Sequence, residues 1–475
     1  MKSIYRKSIV LFVSIVAIAL MFPQAIAKPS AKRQKPSPAA KRREPAKSKS
    51  IPTARRRERA AAKTNRNAQR RLQAQRRAEA ARQAQIARQR AREDAMRNRV
   101  QAMIARDDVA GEDPEIRRIA INALGNHAGT VVVMDPQTGR VYSIVNQQWA
   151  VREGFKPCST IKLVTGLAGL DDGVINPANT AAISNSNRVN LTQALAYSKN
   201  DYFQQVGGQV GFDKMISYAR QVGLGTKTGI NLRSESAGSL PSLRAGFSVN
   251  RMSSHGDGFK VTALQLATLA SVFANRGKLV VPFVARSSSN PNSNIQRQVK
   301  IDSETWQSMV PGMVGAVRYG SGRKAHDPMA TIAGKTGTCI ENGDWVGLFA
   351  SYAPLNNPKL AIVVIARGSD GRNHFPAAVA GRIYRELSGR FAGLGDTQIA
   401  ATPNRPVNQI EAAAETETNE EEADEGSTGD SANTNEPRPV NGPQGTIWGT
   451  ERISPELKVK TVIMPVGRPR RSTRQ

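Results

Sequence analysis

Residues Lys156–Val164 read KPCSTIKLV, and the place of this stretch in the chain depends on the serine in its middle. Pro157 precedes an apolar, helix-forming run, so Ser159 falls at or near a helix N-terminus. Unsatisfied backbone N–H groups and the helix dipole favour developing negative charge there. Lys162 follows three residues later, one helical turn along on the same face. A buried lysine can lose its proton near neutral pH and serve as a base for a hydroxyl. Taken alone, the pattern is equally a helix cap followed by a surface lysine. Cys158, one of only two cysteines in the chain, could be a nucleophile, a metal ligand, a core residue or a brace for its neighbour.

Two further polar groups lie downstream. Ser198-Lys199-Asn200 interrupts LTQALAYSKNDYFQQVG, and Lys335-Thr336-Gly337-Thr338 interrupts TIAGKTGTCIENGDWVGLFASYAP. Each is weak by itself, since S-x-N is common and K-T-G could be a turn. Together, S-x-x-K, S-x-N and K-T-G in this order form the motif set of penicillin-binding proteins and serine β-lactamases. The text between the motifs, including GLGTKTGINLRSESAGSLP and HGDGFKVTALQLATLASVFANRGKLVVP, resembles the transpeptidase domain of penicillin-binding proteins over most of residues 112–392.

The resemblance implies an α+β fold, with an antiparallel sheet flanked by helices and an all-helical subregion. It implies a serine D,D-transpeptidase that joins peptidoglycan stem peptides through an acyl-serine and is acylated by β-lactams. Ser159 would be the nucleophile, Lys162 its base, and Ser198 the relay to the leaving amine. Asn200 would bind the substrate backbone, while Lys335, Thr336 and Thr338 would receive its carboxylate. The backbone N–H groups of Ser159 and Thr338 would hold the oxyanion. Gly337 would let a ligand backbone approach the strand closely. The resemblance also brings Cys158 beside Cys339, like the disulfide next to the active site of certain class A carbapenemases. A pair of reduced thiols is the alternative. No cofactor is implied.

Other functions share these residues. A D,D-carboxypeptidase differs only in using water as acceptor, and a β-lactamase needs a deacylating base. Glu235 could be proposed for that role, but its setting, RSESAGSLP, reads as a structural loop. A non-catalytic β-lactam sensor or wall-binding module is the reading from another class. His127, His255, His326 and His374 have no metal-ligand spacing, and Trp345 is expected in the sheet core.

Local patterning is consistent with this fold. TVVVMDPQTGRVYSIV predicts a hairpin, and Trp345–Tyr352 and Lys359–Arg367 predict late strands. Helices are expected over Thr160–Leu170, Leu191–Val206 and Ala263–Asn275. Strands at both ends of the domain imply termini that pair.

The flanks are different in kind. The chain has 475 residues and a formal charge of +30. Residues 28–110 alone carry 26 Lys and Arg against 7 Asp and Glu, an excess that calls for an anionic neighbour. Lys2, Arg6 and Lys7, an apolar run and Ala25-Ile26-Ala27 form the layout of a secretory signal cut after Ala27. Retention as an inner-membrane anchor is the alternative. Either places the rest in the periplasm or cell envelope and argues against nucleic acid, leaving anionic wall polymer or membrane surface as partner of the basic arm. Residues 28–60 read as a solvated linker and 61–106 as a long solvated helix. Residues 393–475 read as an acidic, low-complexity tail with a basic end.

Overall fold

The computed structural model describes residues 53–182, 188–243, 246–286 and 295–391. The expected signal or anchor (1–27), most of the linker and the tail (393–475) lie outside the described residues. Two compact units divide between Ala81 and Arg82. In the first, the described chain is one helix, exposed at every residue from 56 to 81. It belongs to α1 (Thr53–Ile104), which begins inside the segment read as linker. After Pro52 and Thr53 the chain runs in Ala, Arg and Glu, which are helix formers.

In the second unit, α1 ends against the domain rather than in solvent. Val100 and Ile104 are buried, and Arg97 grips Asp370 with two hydrogen bonds of 3.0 and 2.9 Å. Packing therefore starts before residue 112. Next come α2 (Pro114–Leu124), whose N-terminus is capped by Asp113, and the hairpin β1 (Gly129–Met134) and β2 (Arg140–Val145). Gly139, at φ 79°, closes its turn.

The middle of the chain is helical: α3 (Lys162–Asp171), α4 (Leu191–Ala196), α5 (Asn200–Val210), α6 (Phe212–Gln221), α7 (Val249–His255) and α8 (Ala263–Ala274). The short strands β3 (Ala181–Ala182) and β4 (Arg188–Val189) pair within this region. Then follow β5 (Lys278–Val280), β6 (Phe283–Val284), β7 (Ile295–Gln298) and α9 (Ser303–Arg318). The chain closes with β8 (Ala333–Glu341), β9 (Asp344–Ala353), β10 (Leu360–Arg367) and α10 (Phe375–Leu387).

The main sheet has the order β6-β2-β1-β10-β9-β8. The first and last strands of the domain do pair, with Val132 opposite Val363. One edge differs from expectation: β6 joins β2 in parallel, so the sheet is mixed. Every residue of β1 is buried, because α2 and α10 cover the sheet and α8 packs against β1, β9 and β10. Helix α8, ALQLATLASVFA, is buried throughout, and its polar Gln265, Thr268 and Ser271 side chains donate to backbone carbonyls. Trp345 is a second difference. It is half-buried at the start of β9, with the Arg372 guanidinium 4.9 Å from its ring.

Candidate active site

The turn carrying Ser159 is a short 3₁₀ turn, Cys158–Ile161, that feeds into α3. Cys158 has φ 47°, in the left-handed region, and Thr160 Oγ1 donates to the Pro157 carbonyl at 2.6 Å. Ser159 and Lys162 are both fully buried. Lys162 Nζ lies 2.9 Å from Ser159 Oγ, 3.0 Å from Ser198 Oγ and 2.6 Å from Asn200 Oδ1. It also donates to the Ser198 carbonyl. Lys335 Nζ reaches the same Ser198 hydroxyl at 2.7 Å and the Thr336 carbonyl at 3.1 Å. Six of the residues picked from sequence, Ser159, Lys162, Ser198, Asn200, Lys335 and Thr336, thus form one connected polar cluster.

Ser198 occupies this place because the expected helix Leu191–Val206 is broken there. Helix α4 ends at Ala196 and α5 starts at Asn200, with Ser198 at φ 58°. The Lys199 N–H bonds to the Ala194 carbonyl at 2.9 Å and the Ser198 N–H to that of Leu195 at 3.3 Å. That pair of bonds is a Schellman closure with serine in the position usually held by glycine. Helix propensity could not show the break, since all these residues tolerate a helix.

Strand β8 forms the facing wall. Thr336 Oγ1 lies 2.6 Å from Ser321 Oγ, and Ser321 sits in the turn after α9 with its N–H on the Ala196 carbonyl. Thr338 Oγ1 is buried and, among the described residues, has no hydrogen-bond partner. A Cβ at Gly337 would stand 3.0 Å from the Pro157 carbonyl oxygen and 3.3 Å from Cys158 Cβ, so the turn carrying Ser159 also approaches the strand closely here. Cys158 and Cys339 are joined by a disulfide, with Cα atoms 5.6 Å apart. It ties the turn to β8 one residue from Ser159 and one from Thr338.

Residues missed in the sequence tie the same two elements together. Glu341, at the end of β8, is buried. Its Oε1 accepts the Lys156 N–H at 3.0 Å and a bond from Lys260, and its Oε2 accepts from Arg367 at 2.8 Å. Burial pushes its carboxyl upward, but hydrogen bonds and charge from Lys260 and Arg367 prevail and hold it below the usual range. A glutamate two residues past the second cysteine was the available signal. For Ser321 the signal was a small-residue run, YGSG, between helix and strand. Glu235 is engaged elsewhere, accepting from the Thr228 N–H and hydroxyl, each at 2.6 Å, and from the Gly229 N–H at 3.1 Å. Among the described residues no group of His, Cys, Asp and Glu is arranged to hold a metal ion.

The sequence profile of the penicillin binding protein transpeptidase domain matches residues 129–389, which include the whole cluster. The chain belongs to this family.

Among relatives, a peptidoglycan D,D-transpeptidase (MrdA) of Acinetobacter baumannii is 28% identical over 335 residues, covering 53% of this chain and 50% of that protein. Stage V sporulation protein D of Bacillus subtilis is 26% identical over 279 residues, covering 52% and 43%. The chain thus spans about half the length of these relatives. Among solved structures, Pseudomonas aeruginosa PBP2 in complex with WCK 5153 superposes with a TM-score of 0.54 at 22% identity, covering 62% of this chain and 78% of that one. That likeness is one of fold. Within this penicillin-binding-protein fold, the turn carrying Ser159 meets β8 through the Cys158–Cys339 disulfide.

Proposed function

We propose that the protein is an exported serine D,D-transpeptidase that cross-links peptidoglycan stem peptides and is acylated by β-lactams. The observation that carries this reading is the position of Lys162 Nζ, within 3.0 Å of both the Ser159 and the Ser198 hydroxyls. As a neutral amine, Lys162 takes the Ser159 proton as Oγ attacks the D-Ala–D-Ala carbonyl. The developing oxyanion is held by the Ser159 and Thr338 N–H groups. One such donor is worth about 3–4 kcal/mol in the transition state.

Collapse of the tetrahedral adduct breaks the C–N bond. Ser198, between Lys162 and Lys335, passes a proton to the departing D-alanine amine. Asn200 binds the substrate backbone, and Lys335 with the Thr336 and Thr338 hydroxyls receives the terminal carboxylate. An amine from a second stem peptide then attacks the acyl-serine and releases Ser159. With water as acceptor the same groups make a D,D-carboxypeptidase. Glu235 lends no support to the β-lactamase alternative, because its carboxylate is committed to the backbone of its own loop.

The test is to incubate the purified protein with labelled penicillin and follow the covalent adduct by mass over time. A long-lived adduct that Ser159→Ala abolishes is the expected result. Absence of an adduct on the wild type removes the acyl-serine reading. Retention by Ser159→Ala moves the nucleophile, and rapid loss from the wild type makes the protein a β-lactamase.

A further inference from the structure

The helix 53–81 carries most of its charge on one side. At 3.6 residues per turn, Arg56, Arg59, Lys63, Arg66, Arg70 and Arg77 fall within an arc of roughly 80°, a stripe about 32 Å long at 1.5 Å per residue. All six are exposed. The two acidic residues of this stretch, Glu58 and Glu79, project from the other side. So does its one large apolar residue, Leu72, which is 51% exposed.

Such a stripe is not what a solvated helix alone requires. Arg56/Arg59, Arg59/Lys63, Lys63/Arg66 and Arg66/Arg70 place like charges three or four residues apart, where they repel and weaken the helix. Interleaved glutamates would relieve that repulsion, yet the only acids lie off the stripe. The arrangement gains a purpose when a dense array of negative charge faces it.

We propose that this face of α1 lies along an anionic membrane surface. One-sidedness favours a flat partner. A flexible soluble polyanion could wrap the helix and use Arg57, Arg71 and Arg76 as well, whereas a plane can meet only one face at a time. Where Ile9–Ala27 is retained as the inner-membrane anchor, it keeps the stripe close to a bilayer in sequence. Without an apolar face the helix does not insert. Its attraction is electrostatic and falls off within a Debye length of about 8–10 Å.

The experiment uses the exported full chain and two triple variants. One removes stripe charges (Lys63→Gln, Arg66→Gln, Arg70→Gln), and the other removes the same net charge off the stripe (Arg57→Gln, Arg71→Gln, Arg76→Gln). Each is partitioned onto phosphatidylcholine vesicles, and onto vesicles in which phosphatidylglycerol replaces roughly a third of the lipid. The ratio between the two vesicle types cancels whatever the apolar N-terminal segment contributes. At roughly fivefold per basic residue, losing three stripe charges lowers that ratio about 100-fold. The off-stripe variant loses less than about tenfold. Equal losses in the two variants overturn the proposal, as does a wild-type ratio of one. Stripe-dependent binding to soluble polyglutamate without vesicle binding overturns it in favour of a polymer partner.

Discussion

Glu341→Gln removes one negative charge from the hub that joins the nucleophile turn to the end of β8. The carboxylate is 4% exposed and faces two cations. Lys260 is 42% exposed and can turn to water, so its loss counts for little. Arg367 is 19% exposed, and its guanidinium lies 5.0 Å from the Phe155 ring and 5.8 Å from that of Trp149. It is therefore the cation most affected, keeping only a half-exposed Glu153 carboxylate 3.8 Å away. Removing one member of a buried pair costs about 3–5 kcal/mol, and the partial exposure of both cations sets the expectation at the lower end. About 3 kcal/mol lowers Tm by roughly 6–12 °C in a domain of this size. The Lys156 N–H bond weakens too, and a shift of about 1 Å at the turn could slow acylation about 100-fold. Linkage supplies the sharper test. A carboxyl held below its usual range contributes stability that is full above the unfolded value and is lost as pH falls through the folded value. Thermal melts of wild type and variant, followed from about pH 7 down to pH 3, should therefore converge on acidification. A variant that melts within a degree of wild type at neutral pH refutes the reasoning, and so does a gap that stays constant into acid.

Two other expectations follow from the structure. Replacing both Cys158 and Cys339 by serine costs about 2–4 kcal/mol in chemical denaturation. Peptide mapping of the non-reduced wild type should recover the two cysteines in one linked fragment, and two free thiols would contradict the bond. Glu112 works in the opposite sense to Glu341. Burial pushes its carboxyl above the usual range against the pull of Arg117, 2.9 Å away. Its contribution is thus full below the unfolded value and lost as pH rises through the folded one. Glu112→Gln should decline less in stability than wild type between about pH 4 and 7, and equal slopes would show that the group is not perturbed.

Much of this domain could be read from the chain because its chemistry is local. The S-x-x-K spacing puts Lys162 on the face of Ser159 whatever surrounds it, and runs rich in β-branched and apolar residues make β1, β2, β9 and β10 legible. What stayed hidden depends on partners distant in sequence. The two-residue strand β6 is defined only by β2 beside it. Glu341 becomes a hub only when Lys260 and Arg367 converge on it, and the end of α1 is apolar enough to bury only against this domain. Trp345 was misplaced because a strand pattern marks which residues alternate, not where the covering layer stops.

The break at Ser198 and the bend at Cys158 share a physical cause. Each puts a residue other than glycine in the left-handed region, at φ 58° and 47°, a conformation that costs of order 1–3 kcal/mol and persists only where its surroundings over-determine it. At Ser198 the Schellman closure and two lysine amines do so. At Cys158 the disulfide holds the side chain to β8, while Glu341 holds the backbone two residues upstream. Gly337 leaves room for the Pro157 carbonyl between them. A straight helix through residue 198 would carry the Ser198 hydroxyl away from Lys162, and a relaxed turn at residue 158 would withdraw Ser159 from β8. The two strained residues therefore set the distances on which the proposed proton transfers depend. Cys158, the residue before Ser159, is best understood as the fastening for one of them.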